Sequence, residues 1–191
     1  MLRINILLVF LFVFGSCNAT KDKEIVVGAE QPDLYLPILE GKRIGLVVNN
    51  TSKVKDVHLV DYFLSKDIKI EKIFAPEHGF RGDVSAGGKI EDGVDTKTGL
   101  PVLSLYGKTR KPTPEHLHGL DIVIFDIQDV GCRFYTYIST MHLVMEACAE
   151  YNLPMVVLDR PNPNGDYVAG PILDEGFKSF VGMDPIPIVH G

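Results

Sequence analysis

The chain has 191 residues, of which 46% are hydrophobic and 23% charged, and its formal net charge is −6. This length and composition are those of a globular protein with one domain-sized core. The acidic balance and the lack of any lysine- or arginine-rich run argue against nucleic acid as a partner. No apolar run after the N-terminus is long enough to predict a transmembrane helix.

Residues 1–17 predict a secretory signal. An apolar run over 4–14 follows Arg3 and ends in small residues directly before Cys17. Such an ending is typical of bacterial lipoprotein signals, so we expect lipid attachment to Cys17 and a polar tether over 18–24. The alternative is signal cleavage with export but without a lipid. We therefore expect an exported protein, in the periplasm or as an outer-membrane lipoprotein of a bacterium, with the lipid as its only membrane contact.

Strand and helix patterns then alternate along residues 25–191. The predicted strands lie at 43–49, 68–74, 101–106, 121–126 and 154–159, and the predicted helices at 56–66 and 135–151. Asp56 is expected to cap the first helix. The second helix is expected to bury one face that carries Ile138, Met141, Met145 and Cys148. Near-continuous apolar strands that alternate with helices predict an α/β fold: a Rossmann-like, mostly parallel sheet with helices on both faces.

Two stretches depart from that pattern. Residues 79–99 carry no clear element, and a long loop of this kind in a compact domain is usually functional. The apolar run at 186–189 stops at His190 and Gly191 with neither a capped helix nor a polar tail. We expect from this that the chain is cut and has low activity alone. We also expect an exposed docking patch at Phe177, Phe180 and the 186–189 run.

Polar side chains follow each predicted strand. In a parallel sheet these strand ends share one edge, where open α/β proteins bind ligands. The groups are Asn49, Asn50 and Thr51 after the first strand, Glu77, His78 and Arg81 after the second, Tyr106 after the third, Asp126, Gln128, Asp129, Arg133, Tyr135 and Tyr137 after the fourth, and Asp159, Arg160, Asn162 and Asn164 after the fifth. Such a mixture of carboxylates, amides, guanidinium groups and aromatic rings suits a ligand with many hydroxyl groups, such as a sugar.

Several of these groups also have a purely structural interpretation. Asp126 and Asp159 have the positions of helix caps or turn formers as much as those of acids. Arg133 and Arg160 can equally serve to pair with Asp129 and Asp159 within the fold. Both interpretations stay open from the residues alone.

Glu77 is the strongest candidate for a catalytic group. Pro76 and Gly79 constrain the backbone on either side of it, which is hard to explain by folding alone. Of Tyr135 and Tyr137 we expect one to be a core aromatic, because alternate positions of a helix face opposite ways.

Familiar cofactor motifs are missing from the sequence. The first strand is not followed by a glycine-rich dinucleotide fingerprint, and the chain has no P-loop, no G-x-S-x-G elbow and no H-E-x-x-H. It also lacks a CxxC pair. We therefore expect no cofactor and no metal.

Seven linked motifs are similar to those of one known family. They are Pro76–Gly82, Asp92–Asp95, Gly99–Val102, Ser104–Gly107, Phe125–Gly131, Arg133–Tyr137 and Asp159–Gly165. Together they resemble the exo-β-N-acetylmuramidases of the NamZ type, long catalogued as proteins of unknown function. The resemblance implies a Rossmann-like N-terminal domain and a smaller C-terminal domain, with the active site in the cleft between them. It also implies hydrolysis of the β-1,4 bond after a non-reducing terminal N-acetylmuramic acid of peptidoglycan fragments.

The same resemblance implies one site residue, and the residues themselves suggest the others. Glu77 corresponds to the glutamate of the family's EHGxR motif and is implied as the catalytic residue. The second group stays open among Asp126, Asp129, Asp159 and the substrate's own acetamide. The expected substrate-binding residues are Asn49, His78, Arg81, Arg133, Tyr135, Tyr137, Asp159, Arg160 and Asn162. Arg81 is the first candidate to clamp the lactyl carboxylate of a muramyl saccharide.

Two rival functions remain. One is a non-catalytic sugar-binding domain tethered to the cell envelope. The other is a metal-dependent hydrolase that uses His78 with Asp126 or Asp129.

Overall fold

The computed structural model describes residues 25–82, 88 and 91–191. The predicted signal, the lipidation of Cys17, the tether over 18–24 and part of the 79–99 loop lie outside the described residues. Among the described residues, no helix has both the length and the apolar character needed to cross a membrane.

A sheet of six strands lies at the centre of this part of the chain. The described strands are β1 (Arg43–Val48), β2 (Lys53–Val54), β3 (Val57–His58), β4 (Lys69–Ala75), β5 (Gly93–Val94), β6 (Pro101–Ser104), β7 (Ile122–Asp126), β8 (Met155–Val157), β9 (Val168–Ala169) and β10 (Val189–His190). The described α-helices are α1 (Pro32–Leu39), α2 (Leu59–Leu64), α3 (Pro114–Leu117) and α4 (Tyr137–Glu150), with 3-10 turns at Gly28–Glu30 and Glu175–Phe177.

The strand order in the main sheet is β5-β6-β4-β1-β7-β8. The pairs β1–β4, β1–β7, β4–β6 and β7–β8 are parallel, and only the edge strand β5 runs antiparallel to its neighbour β6. β2 and β3 form a small hairpin, and β9 pairs with β10. The predicted α/β class with a mostly parallel sheet is confirmed.

Helices cover both faces of this sheet, as the sequence predicts. On one face, α1 and α2 contribute Leu39 and Phe63 to a buried cluster. On the other face, α3 and α4 contribute Leu117 and Val144 to a second cluster. β1 supplies side chains to both clusters, because successive residues of a strand point to opposite faces.

The predicted cap of the first helix is wrong. Asp56 precedes the second strand of the β2–β3 hairpin, so the chain is still extended at the position where the cap was expected. The helix begins only at Leu59, and the His58 ring accepts the capping hydrogen bond from the backbone of Val60 at 3.2 Å. The hairpin therefore shortens the predicted 56–66 helix from its start.

The predicted buried face of the long helix is only partly right. Cys148 is buried as expected, but the side chain of Met145 is 50% exposed. The helix starts at Tyr137, and the burial of that ring fixes the rotation of the helix about its axis. The face that follows at helical spacing includes Val144 and Ala147, both fully buried.

The segment after β8 holds elements that the sequence did not predict. β10 pairs with β9, and a bridge joins Val189 to Cys132 in the loop that follows β7. This pairing half-buries the 186–189 run, and Phe180 is half-buried against Tyr106. The expected exposed patch is therefore correct only for Phe177, which is 77% exposed.

Candidate functional site

The loops that leave the strands meet at the carboxyl edge of the sheet, and cross-links tie them together there. Thr51, which follows β1, accepts a hydrogen bond from the backbone of Gln128, which follows β7, at 3.0 Å. The hydroxyl of Ser52 donates to the carbonyl of Asp126. These contacts bring the ends of the two central strands into one rigid unit.

A tight turn after β4 presents Glu77. The backbone N–H of Gly79 bonds back to the carbonyl of Pro76 at 3.0 Å. Both His78 and Gly79 have positive φ angles, of 71° and 80°. A positive φ is uncommon for a residue with a side chain, although histidine adopts it more often than most. The sequence around Glu77 thus fixes a strained turn that aims its carboxylate outward from the strand.

The carboxylate of Glu77 is half-buried and held by neighbours. The Thr136 hydroxyl donates to its Oε2 at 2.7 Å. The pKa of the Tyr106 hydroxyl is raised by burial, and further by a hydrogen bond to Glu77 and by the charge of Glu77. Glu77 therefore lies between the end of β6 and the start of α4.

Three aromatic rings cluster beside this carboxylate. His78 lies stacked on Tyr135 with ring centroids 6.0 Å apart and meets Tyr137 edge-on at 6.5 Å. The two tyrosine rings are 4.8 Å apart. Tyr137 is buried and Tyr135 half-buried, so the prediction of one core tyrosine is confirmed. Burial is also the main cause that raises the pKa of Tyr137.

These rings line a cavity of about 320 Å³. Its wall consists of Asn50, Thr51, His78, Gly82, Gln128, Val130, Tyr135 and Tyr137. The wall thus combines amides, a hydroxyl and aromatic rings, which is the chemistry expected for a saccharide.

Asn49 lies directly behind this wall and is fully buried. Its Oδ1 accepts hydrogen bonds from the backbone and the hydroxyl of Thr51, at 2.9 and 2.6 Å. Its amide is close enough to the Tyr137 hydroxyl to oppose the rise in that group's pKa. Even so, Nδ2 makes no aligned hydrogen bond to any described residue. A buried donor without a partner is rare in folded proteins and marks a position of interest.

Asp126 forms a buried ion pair with Arg160. Nε and Nη2 of Arg160 donate to the two carboxylate oxygens at 2.5 and 2.9 Å, and Nη2 also donates to the carbonyl of Lys53 at 2.7 Å. Burial raises the pKa of Asp126, and the hydrogen bonds from Arg160 oppose that rise. Arg160 therefore has the structural pairing that the sequence left open, but with Asp126 instead of Asp159, which lies exposed after β8. A catalytic role for Asp126 stays a prediction, and this geometry counts against it, because Arg160 occupies both oxygens.

Arg81 pairs with Asp95. Nε and Nη2 of Arg81 donate to the two oxygens at 2.9 and 2.8 Å, and the Thr98 hydroxyl adds a third bond at 2.7 Å. These bonds, chiefly those from Arg81, lower the pKa of Asp95 to about 2. The predicted clamp of Arg81 on a lactyl carboxylate stays a prediction, and it requires Arg81 to exchange one carboxylate for another.

Arg133 fastens the segment near β10. Its Nη1 donates to the carbonyl of Pro171 at 3.0 Å and to that of Ile186, and its backbone N–H donates to Ile188 at 2.8 Å. Arg133 therefore has a structural role, which the sequence left open, but its partners are these carbonyls instead of Asp129. Its part in substrate binding stays a prediction.

Asp129 has another neighbour, His190. The Asp129 Oδ2 and His190 Nε2 atoms are 3.1 Å apart, with the two side chains 26% and 12% exposed. Asp129 lines a second cavity of about 170 Å³ between the sheet and α4. The wall of this second cavity consists of Phe125, Ile127, Asp129, Tyr137, Ile138, Met141, Val157, Leu158, Asp159, Arg160 and Asn162. Tyr137 belongs to both cavity walls.

Comparison with known proteins decides the family. The family model described as exo-beta-N-acetylmuramidase NamZ, N-terminal, matches residues 44–191. The chain belongs to this NamZ family. The resemblance found in the sequence motifs is thereby confirmed.

Named relatives agree with this assignment. A Bacillus subtilis protein named peptidoglycan beta-N-acetylmuramidase NamZ is 54% identical over 165 residues, which cover 84% of this chain and 39% of that protein. Two crystal structures of DUF1343 family proteins from Bacteroides fragilis match with TM-scores of 0.76 and 0.78 at 51% and 44% identity. The first match covers 87% of this chain and 43% of the matched protein, and the second covers 86% of this chain and 42% of the matched protein. The NamZ-family chain thus spans less than half the length of these relatives.

The described part of this NamZ-family chain contains no group of three or more His, Cys, Asp or Glu side chains that could hold a metal ion. Both described cysteines, Cys132 and Cys148, are free thiols. Asn162 serves its own loop, where its Oδ1 accepts from the backbone of Asn164 at 2.9 Å. Asn162 therefore has a structural partner within the fold, apart from any contact with a ligand.

His190 is the site residue that sequence reasoning missed. It lies in a stretch with no polar motif, far along the chain from Asp129. Only the pairing of β10 with β9 and the bridge to Cys132 bring it to the carboxyl edge. A local pattern carries no signal for such a contact.

Proposed function

We propose that this chain supplies the catalytic Rossmann-like unit of an exo-acting β-N-acetylmuramidase. The enzyme would release N-acetylmuramic acid from the non-reducing ends of peptidoglycan fragments. Membership of the NamZ family and the name of the Bacillus subtilis relative support this proposal. The structural observation that carries it is the carboxylate of Glu77, which Thr136 holds at the carboxyl edge beside a polar and aromatic cavity.

Glycoside hydrolysis requires an acid that protonates the leaving oxygen. We assign this step to Glu77: its proton passes to the bridging oxygen as the bond from that oxygen to the anomeric carbon breaks. The Thr136 hydroxyl fixes the direction of the carboxyl group, so the proton is delivered along a defined line. The hydrogen bond network with Tyr106 adds a second constraint on the same group.

The second catalytic group is best supplied by Asp129 or by the substrate's acetamide. Asp129 is partly exposed on a cavity wall, whereas Asp126 is fully buried in its pair with Arg160. Since a reacting carboxylate must reach water or sugar, exposure favours Asp129. Tyr135, stacked on His78 at the first cavity, offers a ring face against which the apolar face of a sugar can pack.

The test compares two chromogenic substrates, an aryl β-N-acetylmuramide and the matching aryl β-N-acetylglucosaminide. The protein should release the aryl group faster from the muramide. With a muramyl-glucosamine disaccharide, whose leaving oxygen must be protonated, Glu77→Gln should lower kcat by about 100-fold or more, the effect of losing a general acid. Glu71→Gln is the matched control, because Glu71 lies on the same strand but pairs with Lys69 at the surface.

A rate near that of the unchanged protein for Glu77→Gln would end the assignment of the acid. Binding of the muramide without release by the unchanged protein would leave a sugar-binding module as the function. Loss of release in a chelator, with recovery on adding zinc or magnesium, would favour the metal-dependent alternative.

The proposal extends to the location of the protein. We place it outside the cytoplasm on the basis of residues 1–17, with a lipid on Cys17 as its anchor. Labelled palmitate should enter the expressed protein in bacteria, and Cys17→Ser should abolish the label. Equal labelling of both forms would contradict the anchor.

A further inference from the structure

Two buried polar atoms near the second cavity lack hydrogen-bond partners. They are Oδ1 of Asp129 and Nε2 of His190, and neither makes an aligned hydrogen bond to any described residue. The two side chains nevertheless lie in contact, with Asp129 Oδ2 3.1 Å from Nε2. Buried polar groups in native proteins almost always have partners, so an adjacent pair without them indicates a group that is supplied from outside.

The backbone holds the two side chains together without help from their own contact. The N–H of His190 donates to the carbonyl of Gly131 at 3.3 Å, and Arg133 donates to Ile188 at 2.8 Å. The Arg133 side chain fastens the same segment through the carbonyls of Pro171 and Ile186. The backbone of the fold therefore brings Asp129 and His190 together.

The two atoms have complementary chemistry. An ionised carboxylate oxygen only accepts hydrogen bonds, and an imidazole nitrogen that carries its proton donates one. A hydroxyl group can meet both demands at once, because it donates one hydrogen bond and accepts others. An ammonium ion or an ionised carboxylate can satisfy only one of the two.

We infer that Asp129 and His190 form a hydroxyl-binding subsite, which takes either a hydroxyl of the bound saccharide or the water that attacks it. This inference rests on the proposed function and deepens it. His190 thereby becomes a positioning residue of the site, acting with Asp129.

The location fits a reaction that also uses Glu77. Asp129 and Tyr137 share the wall of the second cavity, and Tyr137 also lines the first. Thr136, next in the chain to Tyr137, holds Glu77. A saccharide that packs against Tyr137 is therefore within the neighbourhood of both carboxylates. The cavity of about 170 Å³ has room for water, whose share of liquid volume is about 30 Å³ per molecule.

Two substitutions remove the hydrogen-bonding capacity with little change of shape. Asp129→Asn replaces the carboxylate with an amide, and His190→Phe keeps a ring but removes its N–H. If the subsite binds a sugar hydroxyl, each should raise KM for the aryl muramide about tenfold, as expected for one hydrogen bond to a charged group, and His190→Phe should do so without lowering kcat. If it binds the attacking water, each should lower kcat by about 100-fold and leave KM unchanged.

Either result supports the subsite. A change in KM identifies the bound hydroxyl as one of the sugar, and a change in kcat identifies it as the attacking water. The double variant should be no worse than the more damaged single variant, because both changes remove the same interaction. His190→Gln, which keeps an N–H donor without the ring, should recover part of the loss. The inference would be overturned if KM and kcat both stay within about twofold of their values in the unchanged protein for Asp129→Asn and for His190→Phe.

His142→Phe is the matched control. His142 Nδ1 lies 3.0 Å from Asp184 Oδ1, a contact of the same kind that ties the same segment to α4. Its loss should leave both constants unchanged. An equal effect in His142→Phe and His190→Phe would show that anchoring of the segment is what matters, and would overturn the subsite.

A second readout does not depend on turnover. Addition of N-acetylmuramic acid should shift the imidazole proton resonances of His190 and leave those of His142 in place. If the unchanged protein fails to release sugar but His190 responds, the proposed reaction fails and the subsite stands. If release is normal but His190 does not respond and its variants are unaffected, the subsite fails and the proposed function stands.

Discussion

The two edges of the sheet carry the same kind of arginine–aspartate pair in opposite surroundings. At the amino edge, Nε and Nη2 of Arg43 donate to Asp121 at 3.0 and 2.9 Å, with the two side chains 45% and 37% exposed. At the carboxyl edge, Arg160 makes the equivalent bonds to Asp126, with side chains 9% and 0% exposed. Loss of one partner should therefore have different consequences for stability at the two edges, because water can stabilise the charge that is left only at the amino edge.

Buried polar atoms without an aligned partner among the described residues are more frequent at the carboxyl edge. Asn49 Nδ2, Asp129 Oδ1 and His190 Nε2 lie there, whereas His116 Nδ1 lies in α3, which leads into the amino end of β7. At the amino edge, the backbone N–H of Arg43 also bonds to Asp121, at 2.8 Å, so the pair closes its own network. The difference teaches that the carboxyl edge keeps its charges buried at a cost in stability, a cost that the exposed Arg43–Asp121 pair does not carry.

The largest expected effect comes from Arg160→Met. It leaves the Asp126 carboxylate buried without its partner, and removal of one member of a buried pair typically costs about 3–5 kcal/mol in the free energy of unfolding. Urea denaturation at pH 7 measures this loss. The double variant Arg160→Met with Asp126→Leu should recover most of it, because no charge then remains buried.

The stability loss in Arg160→Met should depend on pH, and the protonation of Asp126 sets the sign of that dependence. Burial raises the pKa of this carboxyl above its unfolded value, so its protonation favours the folded state. The loss caused by Arg160→Met should therefore shrink as the pH falls and Asp126 becomes neutral. Arg43→Met is the control from the amino edge and should move the denaturation midpoint far less. Similar losses in Arg160→Met and Arg43→Met would remove the distinction between the edges.

A smaller effect is expected for Asp95→Asn, which breaks the pair with Arg81. Arg81 holds the pKa of Asp95 at about 2, below its ordinary value of 3.8. The stabilisation is therefore present above pH 3.8 and is lost as the pH falls towards 2. At pH 7 we expect a loss of about 1 kcal/mol in the free energy of unfolding, because solvent around Arg81 screens the pair.

Urea denaturation of Asp95→Asn and the unchanged protein between pH 7 and pH 2 checks this prediction. The difference between the two should close in the acid range. A difference that stays constant over the whole range would mean that the charge of Asp95 contributes nothing and that the packing of its side chain accounts for the loss.

Most of the fold could be predicted from the sequence because its strands are buried on both faces. Runs such as 121–126 are apolar throughout, and the glycines, prolines and helix patterns between them mark the connections. The errors arise where tertiary contacts decide. Asp56 fails as a cap because a hairpin forms before the helix, and Met145 is exposed because Tyr137 sets the rotation of α4.

Predictions of the site divide in the same way. Glu77 and the tyrosine pair could be located from the strand ends and the turn residues around them. The partners of the charged groups could not, because Asp126 and Arg160, or Asp129 and His190, meet only when separate loops pack. Sequence indicates which groups reach an edge of the sheet, whereas the hydrogen bonds among them depend on distances that only the fold sets.

The attachment of β10 has a consequence for the order in which the molecule is assembled. The sheet has its last strand once Val157 has been synthesised, but His190 follows more than thirty residues later, as the chain numbering shows. A ribosome therefore delivers a complete core well before it delivers the partner of Asp129. We expect the amide of His190 to exchange its hydrogen with solvent faster than the amides of β1, because a short two-stranded pair with few hydrogen bonds opens more easily than the centre of a sheet.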